Sequence, residues 1–164
     1  MRFTIGVLLA MLLGSTAQAE LIDDVNDRNE LRIAVEATTP PYNFKDNEQL
    51  TGFEIELGQA LASEMDLGVS FVVVSDGDLL EGVESGRYDI ALNQITPTPQ
   101  LKERLDYSEP YRDDGQALVI PFQKGNPAFH SSVDRALQRI KDDGRLELLK
   151  QKWFAPQTSK VSPP

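Results

Sequence analysis

Residues 88–111 read YDIALNQITPTPQLKERLDYSEPY, and the junction inside them decides the fold. The apolar-rich run 88–95 predicts a strand. Directly after it, Thr98 offers a hydroxyl cap and Pro99 sits in the first helical turn, where its missing N–H costs nothing. A strand running straight into a capped helix is half of a strand–helix–strand crossover. Such a helix start also leaves free N–H groups facing whatever lies ahead, often an anion. Its third position, well placed to reinforce an anion site, holds the apolar Leu101.

Upstream, the same alternation recurs. LRIAVE (31–36) reads as a strand, ATTPPYNF as a proline-broken loop, and TGFEIEL opens a helix. There, Thr51 and Glu54 are expected to form a capping box, Leu50 and Ile55 a staple, and Phe53, Leu57, Leu61 and Met65 an inward stripe. VSFVVV (69–74) is apolar enough to predict a strand covered on both faces. Residues 75–86 read as a short helix, with Asp76 and Asp78 as caps and Gly86 as its stop. Downstream, GQALVI (115–120) is the expected fourth strand, followed by helices over 132–142 and 145–154 separated by Gly144. The core expectation includes Tyr42, Phe44, Phe71 and Trp153. This order predicts an α/β fold with a mostly parallel sheet flanked by helices. Ligands gather at the carboxyl ends of such strands, which directs attention to 36–39, 75–78 and 93–98.

Residues 1–19 have the pattern of an export signal: Arg2, a short apolar run, and the small-residue site Ala17-Gln18-Ala19. The expected location is therefore the periplasm. The folded lobe is expected over 20–154, with a Pro/Ser-rich, disordered tail over 155–164. The chain has no cysteine, so its core must hold by packing. Its 26 acidic residues outnumber 16 basic ones, a net charge of −10. The tail from Asp134 is locally basic, so the preceding part is strongly acidic. That balance argues against nucleic acid or an anionic membrane as a partner of the acidic face. His130, the sole histidine, has no second histidine or cysteine to complete a metal site, and no metal or cofactor is expected.

LRIAVEATTPPYNFKDNEQLTGFEIELGQALASEM, then GRYDIALNQITPTPQLKERLDYSEPYRDDGQALVI, and finally ALQRIKDDGRLELLKQKWF resemble the periplasmic solute-binding proteins of family 3. The resemblance covers nearly the whole chain after the signal, with its motifs in order. It implies one lobe of a type II periplasmic binding fold serving amino-acid ABC import. In the family a second lobe is inserted into the first. Here GQALVI resembles the departure to that lobe and PFQKGNPAF the return, with nothing between them.

The resemblance also implies a site. Glu36 takes the place of the acid that receives a ligand's amino group. Asn93, Gln94 and Thr96 stand for the polar run after the third strand. Thr39 replaces a tyrosine beside the ligand, and Asp76 or Gly77 stands where an aromatic often stacks. Leu101 replaces the arginine that pairs with the ligand's α-carboxylate, and Arg104 lies one turn later on the same helix. The ammonium side of the site is thus kept and the carboxylate side lost. The expected ligand is a small polar or cationic solute, bound weakly. No paired nucleophile and base is present, so no enzymatic activity is expected. The alternative is a ligand-independent module for a periplasmic or membrane partner protein. A homodimer is a further form of it, through an apolar patch of Tyr111, Val119, Ile120, Pro121 and Phe122 left where the second lobe would sit.

Overall fold

Strand β1 (Glu30–Val35) is the centre of the molecule, and its alternation divides the core in two. In the computed structural model, which describes residues 19–155, Leu31, Ile33 and Val35 join one apolar cluster while Ala34 faces another. The expected export signal over 1–19 and the expected tail over 155–164 lie outside the described residues except for their residues 19 and 155. The first cluster packs α1 (Leu21–Arg28), α2 (Phe53–Glu64), α5 (Pro127–Asp142) and α6 (Arg145–Phe154) on one side of the sheet. The second sets α3 (Asp76–Glu84) on the other through Leu79 and Val83.

The sheet has the order β5-β1-β6-β10-β7, where β5 is Gly68–Val73, β6 Ile90–Ala91, β7 Leu105–Tyr107 and β10 Pro121–Gln123. β5 and β6 flank β1 in parallel, and β10 alone runs against its neighbours. The expected mostly parallel sheet is therefore present, and the described residues form one lobe. Three of its strands differ from expectation, and of the run 88–95 only Ile90–Ala91 is strand. Residues 105–107 form a strand that the apolar pattern did not signal. The fourth strand of the run after 115 is Pro121–Gln123 rather than GQALVI. Within GQALVI, Ala117–Leu118 (β9) pairs instead with Arg112–Asp113 (β8) in a separate hairpin. β7 and β10 are joined through the β8–β9 hairpin with no helix between them, whereas a parallel neighbour usually needs a helical crossover.

β5 is also not covered on both faces. It is the sheet's edge, and Val73 remains 48% exposed. Tyr42, Phe71 and Trp153 are half-buried against the main cluster rather than central to it, and the Phe44 ring meets Trp153 edge-on at 6.0 Å.

The proline-rich segment is more ordered than a loop. Thr38–Thr39 (β2), Asn43–Asp46 (β3) and Gln49–Thr51 (β4) form a small antiparallel sheet, with a cis peptide between Pro40 and Pro41. It delivers the chain to α2 at Gly52, whose φ of +129° and whose approach to the Tyr42 carbonyl leave no room for a Cβ. Gly52, not Thr51, is the N-cap, so the expected Thr51–Glu54 capping box does not form. Ser75 likewise caps α3 in place of Asp76 or Asp78, and its hydroxyl donates to Asp78 at 2.7 Å.

The expected exposed apolar patch is absent. Tyr111, Val119, Ile120, Pro121 and Phe122 are all buried. The chain crosses directly from β9 into β10, so these side chains enter the core. There, Phe122 packs on Phe129 at 5.4 Å and Tyr111 on Phe53 at 6.2 Å.

Candidate functional site

Glu54 was expected to cap a helix; instead it is fully buried and organises the strand ends. One carboxylate oxygen accepts the Tyr111 hydroxyl at 2.5 Å and the Gln94 backbone N–H at 2.8 Å. The other accepts the Asn43 side-chain amide at 2.5 Å and the Gln94 side-chain amide at 2.6 Å. Burial pushes the Glu54 carboxyl above its usual range, and the four donors oppose that rise. Burial and the neighbouring Glu54 charge hold the Tyr111 hydroxyl well above the usual tyrosine range.

This hub fixes the loop after β6. Gln94 has φ of +49°, a left-handed conformation that a non-glycine residue adopts only when its surroundings hold it. Glu54 grips both its backbone and its side chain. The network then runs outward: the Asn43 amide also donates to Asn93 Oδ1 at 3.4 Å, and the Asn93 amide donates to Glu36 at 3.1 Å. Glu36, Asn93 and Gln94 are thus brought into one polar network at the carboxyl ends of β1 and β6. Thr39 lies in β2, opposite Asn43. Thr96 is half-buried just beyond Ile95.

α4 (Pro99–Arg104) begins as expected: Thr98 accepts the Leu101 N–H at 3.2 Å, and Pro99 occupies the first turn. Leu101 is half-buried at its third position. Arg104 is directed to α3, where its Nε donates to Glu84 at 2.9 Å. That pairing occupies the one arginine α4 carries, so the expected reach back from Arg104 toward the ligand is not what this side chain makes here.

Beside the polar network lies a cavity of about 550 Å³ lined by Tyr42, Gln94, Arg112, Gln116 and Leu118, among others. Arg112 rests on the Phe154 ring, 3.8 Å from its centroid, and donates to the Tyr42 hydroxyl at 2.9 Å. Neither Glu54 nor Arg112 was foreseen as part of the site. The available signal for Glu54 was its position between Phe53 and Ile55 near an inward-facing stripe. Arg112 gave no local signal at all.

Among the described residues there is no cluster of metal-ligating side chains. Residues 31–156 match the bacterial extracellular solute-binding proteins, family 3. The chain belongs to that family. It is 33% identical over 132 residues to the L-cystine-binding protein TcyJ of Escherichia coli (strain K12), covering 79% of this chain and 48% of the relative. The chain therefore spans about half the length of that curated relative. Among solved structures it resembles the arginine-bound form of domain 1 from TmArgBP. The TM-score is 0.68 and the identity 21%, over 71% of this chain and 98% of the other. It also resembles the ancestral amino acid-binding protein AncCDT-1, a precursor of cyclohexadienyl dehydratase. There the TM-score is 0.77 and the identity 22%, over 83% of this chain and 100% of the other. At these identities the solved structures speak to the fold alone.

Proposed function

We propose that this family 3 chain is an exported, periplasmic solute-binding lobe of the amino-acid transport type. Its site keeps the ammonium side and no longer reads a carboxylate from α4. The observation that carries this reading is the pairing of Glu36 with Asn93 at the strand ends, together with Leu101 at the third position of α4. A carboxylate there faces a ligand cation, while Leu101 offers an anion nothing but apolar surface. The expected preference is therefore for cationic solutes over neutral amino acids, at low affinity, because an open lobe covers less of its ligand than a closed cleft. Domain 1 of TmArgBP in its arginine-bound form supports the view that one lobe of this fold suffices to hold a solute.

Calorimetric titration with spermidine, L-arginine and L-glutamine is the test. Spermidine and arginine are expected to bind and glutamine not, with E36Q weakening spermidine roughly tenfold through the loss of a charge-assisted contact. Tight binding of glutamine would overturn the reading.

A further inference from the structure

We propose that Arg112 is a carboxylate-binding residue of this site, and that Asp114 is an internal carboxylate that occupies it until a ligand's carboxylate takes its place. The inference rests on the solute-binding reading above and adds an anion subsite to it on a different element, the β8–β9 hairpin.

The receptor half is rigid. The Arg112 side chain is only 15% exposed. Its guanidinium carbon stands 3.8 Å from the Phe154 ring centroid and 5.5 Å from that of Tyr42, with one terminal nitrogen donating to the Tyr42 hydroxyl at 2.9 Å. What remains is one edge of the fork, Nε and the other terminal nitrogen, aimed together. Asp114 fills that edge with both oxygens: Nε donates to Oδ1 at 2.7 Å and Nη2 to Oδ2. Two parallel bonds from one guanidinium edge are how arginine recognises a carboxylate, whichever molecule carries it.

The occupant half is loose. The Asp114 side chain is 61% exposed, and the hairpin tip 113–116 is exposed throughout. Gly115 follows it with φ of +112° and nothing within 4 Å of where a Cβ would stand, so the tip has room to swing. Water reaches Asp114 while the guanidinium is held, and any carboxylate can make the same two bonds to that edge. Exchanging one carboxylate for another on a fixed guanidinium therefore costs little, and any further contact a ligand makes favours the exchange.

The position is right for such a contact. Arg112, Asp114 and Gln116 line the same cavity as Gln94, the residue that Glu54 pins in the polar network. A solute lying along Gln94 would have its cationic end toward Glu36 and its carboxylate toward Arg112. The anion-reading role that α4 lacks at Leu101 would then sit on the hairpin, held shut by the chain's own acid. On the outer side, Lys150 and Phe154 complete a second, smaller cavity with Arg112 and Asp114, so a displaced Asp114 still has a cation nearby.

The test compares wild type with D114N, and with D114S as a second release variant, using three probes. L-arginine carries an α-carboxylate, agmatine is the same molecule without it, and acetate is a carboxylate alone. Both variants alter an exposed tip and are checked for a native circular dichroism spectrum. Release is expected to strengthen arginine several-fold, since it removes an internal competitor, and to leave agmatine unchanged or weaker. Millimolar acetate is expected to shift the Arg112 Nε–H resonance in D114N and not in wild type. Adding R112K, which keeps the charge and loses the fork, is expected to erase the gain. An acetate shift without arginine binding in any protein would keep the subsite and sink the amino-acid reading. An unmoved Arg112 resonance in D114N, or equal gains for arginine and agmatine, would overturn the proposal.

Discussion

A carboxylate with no solvent and four donors, as Glu54 has, leaves no room for a substitute. Glutamine has the same shape but must place an NH2 where one pair of donors now points. The Tyr111 hydroxyl can turn and accept, but the Gln94 backbone N–H cannot, and the Asn43 amide also has Leu92 O to serve. E54Q is thus expected to cost about 1–3 kcal/mol, the range for a buried polar group left mismatched. Urea denaturation measures it. The pH dependence has a definite sign. Burial raises the folded-state value of Glu54, so the native protein holds its proton over a window where the unfolded chain has released it. The stability linked to that proton is fully present below the ordinary carboxylate range and is lost as pH rises through the raised value. Glutamine does not titrate there. The gap between wild type and E54Q should therefore widen as pH falls, and the exposed acids, common to both, cancel. A gap that narrowed on acidification would mean that the donors outweigh burial.

At the scale of the element, the six-residue α4 shows a local signal that tertiary structure left intact. Its N-terminus depends on one side-chain bond, from the Leu101 N–H to Thr98. T98A is expected to cost about 1 kcal/mol, as N-cap losses do, seen as a lower urea midpoint with an unchanged slope. T98S should restore most of it. α2 shows the opposite case. Thr51 and Glu54 have capping-box spacing, yet the neighbouring strand β4 claims Thr51 and the core claims Glu54. The local pattern was real, but non-local partners outbid it: Tyr111 lies 57 positions away and Gln94 lies 40. The same division runs through the site. That Glu36, Asn93 and Gln94 meet was legible because strand ends of a parallel sheet are legible. Arg112 was not, because nothing in RDDGQ tells that Phe154 will lie under its guanidinium. The strand Pro121–Gln123 was displaced from the expected GQALVI for a related reason. The apolar run continues without punctuation from Ala117 to Phe122, and only pairing with β7 and β6 decides which part enters the sheet.

For the whole molecule, the question is whether a lobe whose family fold pairs it with a second one stands as a single cooperative unit. The residues that the resemblance places beside a second lobe are taken inside, so among the described residues these side chains leave no apolar scar to cover. The two apolar clusters lie on opposite faces of one sheet and share its strands: Ile33 and Val35 serve one and Ala34 the other, as Ile90 and Leu92 serve one and Ala91 the other. Destabilising either face should therefore be felt on both. Leu79 of α3, 2% exposed, belongs to the smaller cluster. Trp153 of α6, the only tryptophan, packs against the larger one across the sheet. L79A is expected to cost about 2–5 kcal/mol, the range for a leucine truncated in a packed core. Trp153 fluorescence and far-ultraviolet circular dichroism should report the same lowered urea midpoint, because a two-state domain loses both faces together. If the Trp153 transition stayed at its wild-type midpoint while circular dichroism split into two steps, the sheet would not couple its faces, and the helices on the Trp153 side would fold as a separate unit.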